Sequence, residues 1–331
     1  MRRPLLALLL AAAPLTMQAQ QHEPAPAAAT GQPPIVERPP ATEHATQGAA
    51  EPKSGTMIMD HITDSRHVEY PWFNSHWAGT WELPHWPPIH IGGVTIDLSP
   101  TKHVVMLAVA ALLCCAVLIP AARSHRRTST AGVAPKGVAN GIEAMVLYMR
   151  NEIILPNVGH HGNGYVPYLL TLFFFILFAN VLGLIPYLST ATGNIAVTAT
   201  LAIISFIVVE IAGMRTLGVG YIHTIVYWPS DMSLLMKSLL TIILTPVEII
   251  GKFTKPFALA IRLFANMTAG HVIVLAFIGM IFTFGSWWVA PLPALMAVAI
   301  MLLEVLVAFI QAFIFTLLTS VFIGQIRAGA H

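Results

Sequence analysis

The sequence predicts an all-α polytopic membrane protein with five membrane-crossing helices, a cytoplasmic surface helix and a long, strongly tilted final hairpin. Of its 331 residues, 56% are hydrophobic and only 10% are charged, proportions that are not those of a soluble globular domain. The apolar residues also fall in runs of about twenty or more, the length at which an α-helix crosses a bilayer. The net charge of +2 gives no sign of a nucleic-acid partner.

The first 98 residues precede the membrane helices. Residues 1–19 read as a secretory signal peptide, because two arginines are followed by a short apolar run and small residues; an uncleaved anchor is the alternative. Residues 20–98 form a periplasmic extension, of which 20–53 is predicted to be disordered because it is rich in Pro, Ala, Thr and Gln. Its Trp- and His-rich remainder fits an aromatic cap on the headgroups, or, less well by ligand spacing, a metal site.

The first membrane helix is predicted over residues 99–122, opened by Ser99-Pro100. The arginines that follow it mark the cytoplasmic end by the positive-inside rule, which places the N-terminus in the periplasm. Residues 123–164 then form a cytoplasmic segment. Within this segment, Val138 to Ile154 carries apolar residues on one face and predicts an amphipathic helix on the membrane surface.

A transmembrane hairpin is predicted over residues 165–217, with spans at Tyr165–Leu188 and Ile195–Leu217 and an uncharged outer loop between them. Glu210 lies near the inner end of the second span. Solvation at the membrane interface and a place in a proton path both account for this acid.

The last segment, residues 218–331, is predicted to be a tilted hairpin. Its apolar runs, Met232 to Phe284 and Ala294 to Ile326, exceed the length of one span, and its C-terminus falls on the cytoplasmic side. Arg262 lies about 22 residues before Phe284, roughly 33 Å of helix at ~1.5 Å per residue. An upright helix would put Arg262 beyond a ~30 Å hydrocarbon core, so the helix must tilt.

Arg262 is a lone cation with apolar sequence on both sides. An arginine at the bilayer centre costs roughly 2.5–3.5 kcal/mol on insertion scales, so such residues face a protein interior, a wet cavity or a carboxylate. Helical spacing puts Ala258, Ala265 and Ala269 on its face, and a stripe of small residues allows a second helix to approach. An arginine that extends to the headgroups is the alternative.

Folding the last two helices about a turn near residue 287 predicts which residues are level. Arg262 comes level with Phe313, close to Gln311, and His271 comes level with Glu304. A His–Glu pair in a low-dielectric site is either a structural ion pair or a proton relay, since both groups can exchange protons near neutrality.

Two motifs carry a family resemblance. Lys255-Pro256 followed by AIRLFANMTAG, and the later QAFIF from Gln311, resemble the membrane-embedded a subunit of bacterial F-type ATP synthases. The likeness is dense from about Val138 to the C-terminus and absent before about His61.

The resemblance implies a subunit of the ATP synthase membrane sector that conducts protons through two half-channels against a rotor ring and couples their flow to ring rotation for ATP synthesis. Arg262 would face the ring's carboxylates. Asn266, His271, Glu304 and Gln311 would lie on the outer half-channel, and Glu248 near the inner one. His271 and Glu304 are exchanged relative to the common bacterial pattern, an order that the mitochondrial subunit shares.

The implied partners are a rotor ring of small carboxylate-bearing subunits, the peripheral stalk and the lipid bilayer of a bacterial inner membrane, with no cofactor. No Walker-type loop occurs in the sequence, so nucleotide chemistry falls to partner subunits. A self-contained proton-coupled secondary transporter is the alternative function, although the chain shows no internal repeat. An intramembrane metalloprotease is a third class of function, but the sequence contains no HExxH element.

Overall fold

A computed structural model describes the parts of the chain on which the fold rests: residues 67–71, 78–84, 86–87, 89–91, 94–96, 99–130, 137–159, 162–185, 190–224, 226, 233–284 and 288–328. The predicted signal peptide and the predicted disordered segment, residues 1–53, lie outside the described residues. So does much of the Trp- and His-rich part of the extension.

Two short β-hairpins, which were not predicted from the sequence, precede the membrane helices. Strand β1 (His67–Pro71) pairs antiparallel with β2 (Ala78–Glu82), and β3 (Ile89–Ile91) pairs antiparallel with β4 (Val94–Ile96). The Ile, Val and Thr residues of β3 and β4 favour strands, and a Gly-Gly pair between them is a sequence typical of tight hairpins. Trp86 N donates to Ser99 Oγ at 3.1 Å, which ties this region to the start of the first helix.

Five helices in the described part of the chain are long and apolar enough to cross a membrane, which confirms the predicted all-α membrane fold. With the two short helices α2 (Val138–Tyr148) and α3 (Leu155–Val158), they complete the helical part of the fold. The five are α1 (Lys102–Thr130), α4 (Val166–Gly183), α5 (Ile195–Leu217), α6 (Leu234–Phe284) and α7 (Pro291–Ala328).

Most helix ends lie close to the prediction, and the C-terminal ends of α1 and α4 are the exceptions. Helix α1 was predicted to end near Ala122 but continues through the arginine cluster to Thr130. The prediction used charge as a stop signal, whereas Arg is a good helix former and stays helical once it reaches water. Helix α4 is shorter than its predicted span and ends at Gly183.

The predicted surface helix is α2, and its apolar face packs against the helix bundle. Ile142, Met145 and Val146 contact the main core, and Met149 just beyond α2 is 1% exposed. The chain then makes a π-helical turn, Met149–Ile154, before α3. The predicted apolar face is therefore present, and the helix bundle covers part of it.

Helix α4 forms the centre of the bundle. It is apolar around its whole circumference, which is typical of a helix buried on all sides. Phe173 is fully buried and meets Phe309 of α7 edge-on, with ring centres 5.9 Å apart. The neighbouring helices α1 and α7 therefore pack against an apolar surface of α4.

Helices α6 and α7 are much longer than one span. At ~1.5 Å per residue they extend roughly 75 Å and 57 Å, against a hydrocarbon core of ~30 Å. Pro246 and Pro256 lie inside α6, where proline removes a backbone hydrogen bond and bends the helix. Such lengths fit a membrane only if the hairpin is tilted or its ends extend beyond the hydrocarbon core.

The C-terminal turns of α7 are held against the end of α3. Arg327 Nη1 donates to the Val158 carbonyl oxygen at 2.9 Å, and its guanidinium lies 5.6 Å from the centre of the Tyr165 ring. Gly324 packs against the Asn157 backbone so closely that a β-carbon would overlap the Asn157 carbonyl oxygen.

We expect Gly324→Ala to destabilise the subunit, because the atom in the way belongs to backbone that cannot rotate aside. Overpacking of this kind costs ~1–3 kcal/mol. Thermal unfolding of the detergent-solubilised protein measures the effect. Gly141→Ala in α2 is the matched control, since no heavy atom lies within 4 Å of its new β-carbon. Equal melting temperatures for the two variants would contradict the contact.

Candidate functional site

Arg262 is partly buried on α6 and lines an open cavity of about 460 Å³. Lys255 and Ala258 form its α6 wall, and Leu318 and Phe322 form its α7 wall. We call it the arginine cavity. The register predicted Gln311 beside Arg262, but Gln311 is not among the residues that line this cavity. The α7 residues that share this cavity with Arg262, Leu318 and Phe322, lie after Phe313, which agrees with the lean of helical side chains toward the N-terminus.

The face of α6 that carries Arg262 is open on this chain. Ala258, Ala265 and Ala269, predicted to form a groove of small side chains, are exposed, as is Asn266. The flanking residues Phe257 and Ile261 are 65% and 40% exposed, so apolar side chains border the groove. This surface offers a partner helix both close approach and a nearby cation.

Glu304 of α7 is 9% exposed and packs against α6 at Gly270. A β-carbon on Gly270 would overlap the Glu304 carboxylate and lie 2.8 Å from its Cδ atom. The absence of a side chain at Gly270 therefore makes room for the acid. His271 is the next residue of α6 and is half-buried, so the predicted register of His271 with Glu304 holds to within one residue.

A chain of buried polar groups connects the turn before α5 to α7. Thr190 and Thr192 share a hydrogen bond of 3.1 Å, and Thr192 Oγ1 donates to Asn180 Oδ1 at 2.8 Å. Asn180 Nδ2 then donates to the backbone oxygen of Ala308 at 3.2 Å. We call Thr190, Thr192 and Asn180 the amide–hydroxyl chain.

The amide–hydroxyl chain meets α7 between the two predicted site residues of that helix. Ala308 lies one turn after Glu304 and one turn before Gln311, which is 6% exposed. Thr268 of α6 also reaches this region, where its hydroxyl donates to the Gly193 oxygen at 3.4 Å. Asn180 was not among the predicted site residues. Its amide in an otherwise apolar helix was the feature of the sequence that could have indicated a buried polar contact.

A second cavity, of about 240 Å³, adjoins the arginine cavity. We call it the lysine cavity because Lys252 and Lys255 line it. Glu248, predicted near the inner half-channel, lies on its wall, as does Glu210. The two cavities share three residues: Lys255, Leu259 and Phe322.

The structure pairs Glu210 with a residue that the sequence analysis did not select. Lys252 Nζ lies 3.6 Å from Glu210 Oε2 and donates to Tyr221 Oη at 2.9 Å. The signal available in the sequence was the presence of two opposite charges in apolar surroundings, but their distance along the chain concealed the contact. Among the described residues, no group of three or more His, Cys, Asp or Glu side chains is placed to hold a metal ion.

These features define an integral membrane protein with charged and polar groups along the faces of its longest helices, the class of membrane protein that translocates ions. Comparison with known proteins identifies the family. Residues 104–324 match the family model described as ATP synthase A chain. The chain belongs to this family, as the membrane-embedded a subunit of bacterial ATP synthases.

Curated relatives agree with this assignment. The ATP synthase subunit a of Chloroherpeton thalassium is 42% identical over 82% of this chain and 76% of its own length. ATP synthase subunit a 2 of Chlorobium luteolum is 43% identical over 99% of this chain and 92% of its own length. ATP synthase subunit a of Anaeromyxobacter dehalogenans is 39% identical over 95% of this chain and 84% of its own length.

The contact between Gly270 and Glu304 can be tested by a double-mutant cycle. We expect Gly270→Ala to destabilise the hairpin by ~1–3 kcal/mol through overpacking. The penalty should largely vanish in a Glu304→Ala background, because the obstructing carboxylate is gone. Thermal unfolding in detergent provides the measurement, with Gly279→Ala as a control that meets nothing within 4 Å. A penalty of equal size in both backgrounds would show that the two residues do not touch.

Proposed function

We propose that this chain carries protons between the two sides of the membrane through two separate polar regions, with Arg262 between them. As an ATP synthase a subunit it is the proton-conducting subunit of the membrane sector and not the nucleotide-binding part of the complex. The observation that carries the proposal is the order of groups along α6: the lysine cavity comes first, Arg262 follows, and Gly270 with Glu304 lies beyond it.

The rotor partner is proposed to lie along the exposed groove of α6. An oligomeric ring of small carboxylate-bearing subunits would bring one carboxylate at a time to Arg262. An arginine never loses its proton in a protein, so it favours the ionised form of that carboxylate and cannot itself pass a proton on. Arg262 would thereby block a direct leak between the two polar regions.

The outer half-channel is proposed to run along the amide–hydroxyl chain to Glu304. The half-buried His271 lies on α6, and the buried Gln311 lies on α7 with Glu304. Asn266 lies on the exposed face of α6, one turn from Arg262. Carboxyl and imidazole groups bind and release protons, whereas amides and hydroxyls orient water between them. These residue types therefore suit a path that delivers protons to the ring.

The inner half-channel is proposed to be the lysine cavity together with the arginine cavity. Glu248 lies on the wall of the first and Arg262 on the wall of the second, and Lys255 belongs to both. In the described chain, most lysines and arginines of the five long helices lie on the side of the lysine cavity, near the C-terminal ends of α1, α5 and α7 and in the N-terminal half of α6. Apart from Arg262, the exception is Lys102, at the opposite end of α1. The positive-inside rule then makes this side cytoplasmic and the turn between α6 and α7 periplasmic.

Proton flow of this kind supplies the energy for rotation. Each elementary charge that crosses the membrane releases about 2.3 kcal/mol per 100 mV. The peripheral stalk would hold this chain still while the ring turns. A self-contained secondary transporter is not favoured, because the chain belongs to a family of ATP synthase subunits.

Replacement of Arg262 tests the central role. We expect Arg262→Ala to reduce ATP-driven proton pumping to background in inverted membrane vesicles, and Arg262→Lys to do nearly as badly, since lysine can deprotonate when it is buried and lacks the planar fork. Subunit abundance, followed by immunoblot, should stay near normal. Arg215→Ala, at the exposed end of α5, is the control and should pump normally. Near-normal pumping by Arg262→Ala would refute the assignment.

Filling the groove tests the rotor surface. We expect Ala265→Leu to lower the amount of ring that co-purifies with the subunit by about tenfold, because overpacking a close contact costs ~1–3 kcal/mol and ~1.4 kcal/mol is a tenfold change in affinity. Ala122→Leu adds the same bulk to an exposed site on α1 and should have no effect. Undiminished recovery of the ring with Ala265→Leu would place the rotor elsewhere.

A further inference from the structure

Lys252 joins three segments of the chain at the side of the lysine cavity. Its Nζ atom donates to Tyr221 Oη at 2.9 Å and to Thr224 Oγ1 at 3.4 Å. The same atom lies 3.6 Å from Glu210 Oε2 on α5. The side chains of Lys252 and Glu210 are 12% and 19% exposed, so solvent screens this ion pair less than a pair at the surface.

The surroundings of Lys252 match the shape of an ammonium group. An ammonium carries three N–H donors. Two of them are used by the Tyr221 phenol oxygen and the Thr224 hydroxyl, and the Glu210 carboxylate adds an ion pair. The Tyr221 ring adds a cation–π contact, with its centre 4.5 Å from Nζ. A planar guanidinium would fit this three-sided arrangement less well.

Two of these acceptors belong to the turn Gly218–Thr224, which follows α5. Tyr221 is 8% exposed and packs over Gly213, where an added β-carbon would lie 3.0 Å from the ring. Lys252 therefore anchors to α6 a turn that also packs against α5. Movement of this turn would alter the wall of the lysine cavity, because Thr224, Lys252 and Glu210 all line it.

The two acids that line the lysine cavity, Glu210 and Glu248, have different surroundings. Glu210 is engaged by Lys252, whereas Glu248, one turn before Lys252, is exposed. Lys255 lies one turn after Lys252 and also faces the cavity. The ion pair therefore fixes the position of the Glu210 carboxylate, whereas the Glu248 side chain is open to water.

We propose that Lys252 is a positioning residue for proton entry through the lysine cavity: it anchors the turn Gly218–Thr224 and fixes the Glu210 carboxylate in an ion pair, and the exposed Glu248 exchanges protons with water. This inference rests on the proposed function of the chain. It adds a residue, and a division of labour between Glu210 and Glu248, that the family assignment does not supply.

The test uses the complete ATP synthase in inverted vesicles. We expect Lys252→Met to lower the initial rate of ATP-driven proton pumping at least about fivefold, because removal of one partner leaves Glu210 uncompensated. The exchanged pair Glu210→Lys with Lys252→Glu should exceed either single change in rate, because it restores opposite charges at the two positions. Hydrogen exchange of the backbone amides of residues 218–224 should be at least about tenfold faster in Lys252→Met, since a turn without its anchor opens more often.

Lys237→Met is the matched control, because Lys237 is another lysine of α6 that lines neither cavity; both its pumping and its hydrogen exchange should match the wild type. Should Lys252→Met fail to accumulate, Tyr221→Phe removes a single hydroxyl and should still speed exchange in the turn. Pumping by Lys252→Met within twofold of wild type, or unchanged exchange in either variant, overturns the inference. A wild-type complex that does not pump would contradict the proposed function instead.

Discussion

The charge on Arg262 is the constraint to which the rest of the structure conforms. A guanidinium keeps its proton in any protein environment, so a membrane helix that carries one must give it water, an anion or both. The arginine cavity provides space on one side, and the exposed groove of small residues leaves the other approach open. The length of α6 places the lysine cavity, Arg262 and the contact of Gly270 with Glu304 on one helix.

The buried Glu304 side chain is accommodated differently, because the residue that faces it is a glycine. Gly270 has no side chain where the carboxylate lies, and the backbone of α7 nearby is engaged by Asn180. Each partner of the amide–hydroxyl chain hydrogen-bonds to the next, so the Asn180 amide is paired at both its oxygen and its nitrogen. The apolar α4 supports this region, since Asn180 is held in place by a helix that is buried along most of its length.

The two lysines of the lysine cavity show how near neighbours on one helix acquire separate environments. Lys252 points to α5 and its turn, whereas Lys255 lies 5.0 Å from the centre of the Phe322 ring of α7. Lys255 follows Lys252 by three positions along α6, so at ~100° per residue their side chains differ in direction by about 60°. That small rotation is enough to place one lysine in an ion pair and the other between two cavities.

The sequence by itself determined the membrane class, the five long helices, the groove beside Arg262 and the level of His271 with Glu304, because these depend on local periodicity and on a single turn near residue 287. Only the tertiary structure decided which residues of α7 share a cavity with Arg262, the contact of Gly270 with Glu304, the amide–hydroxyl chain and the partners of Lys252. They depend on how helices distant in the chain are rotated about their own axes, and a hydrophobic pattern leaves that rotation open when nearly every face is apolar.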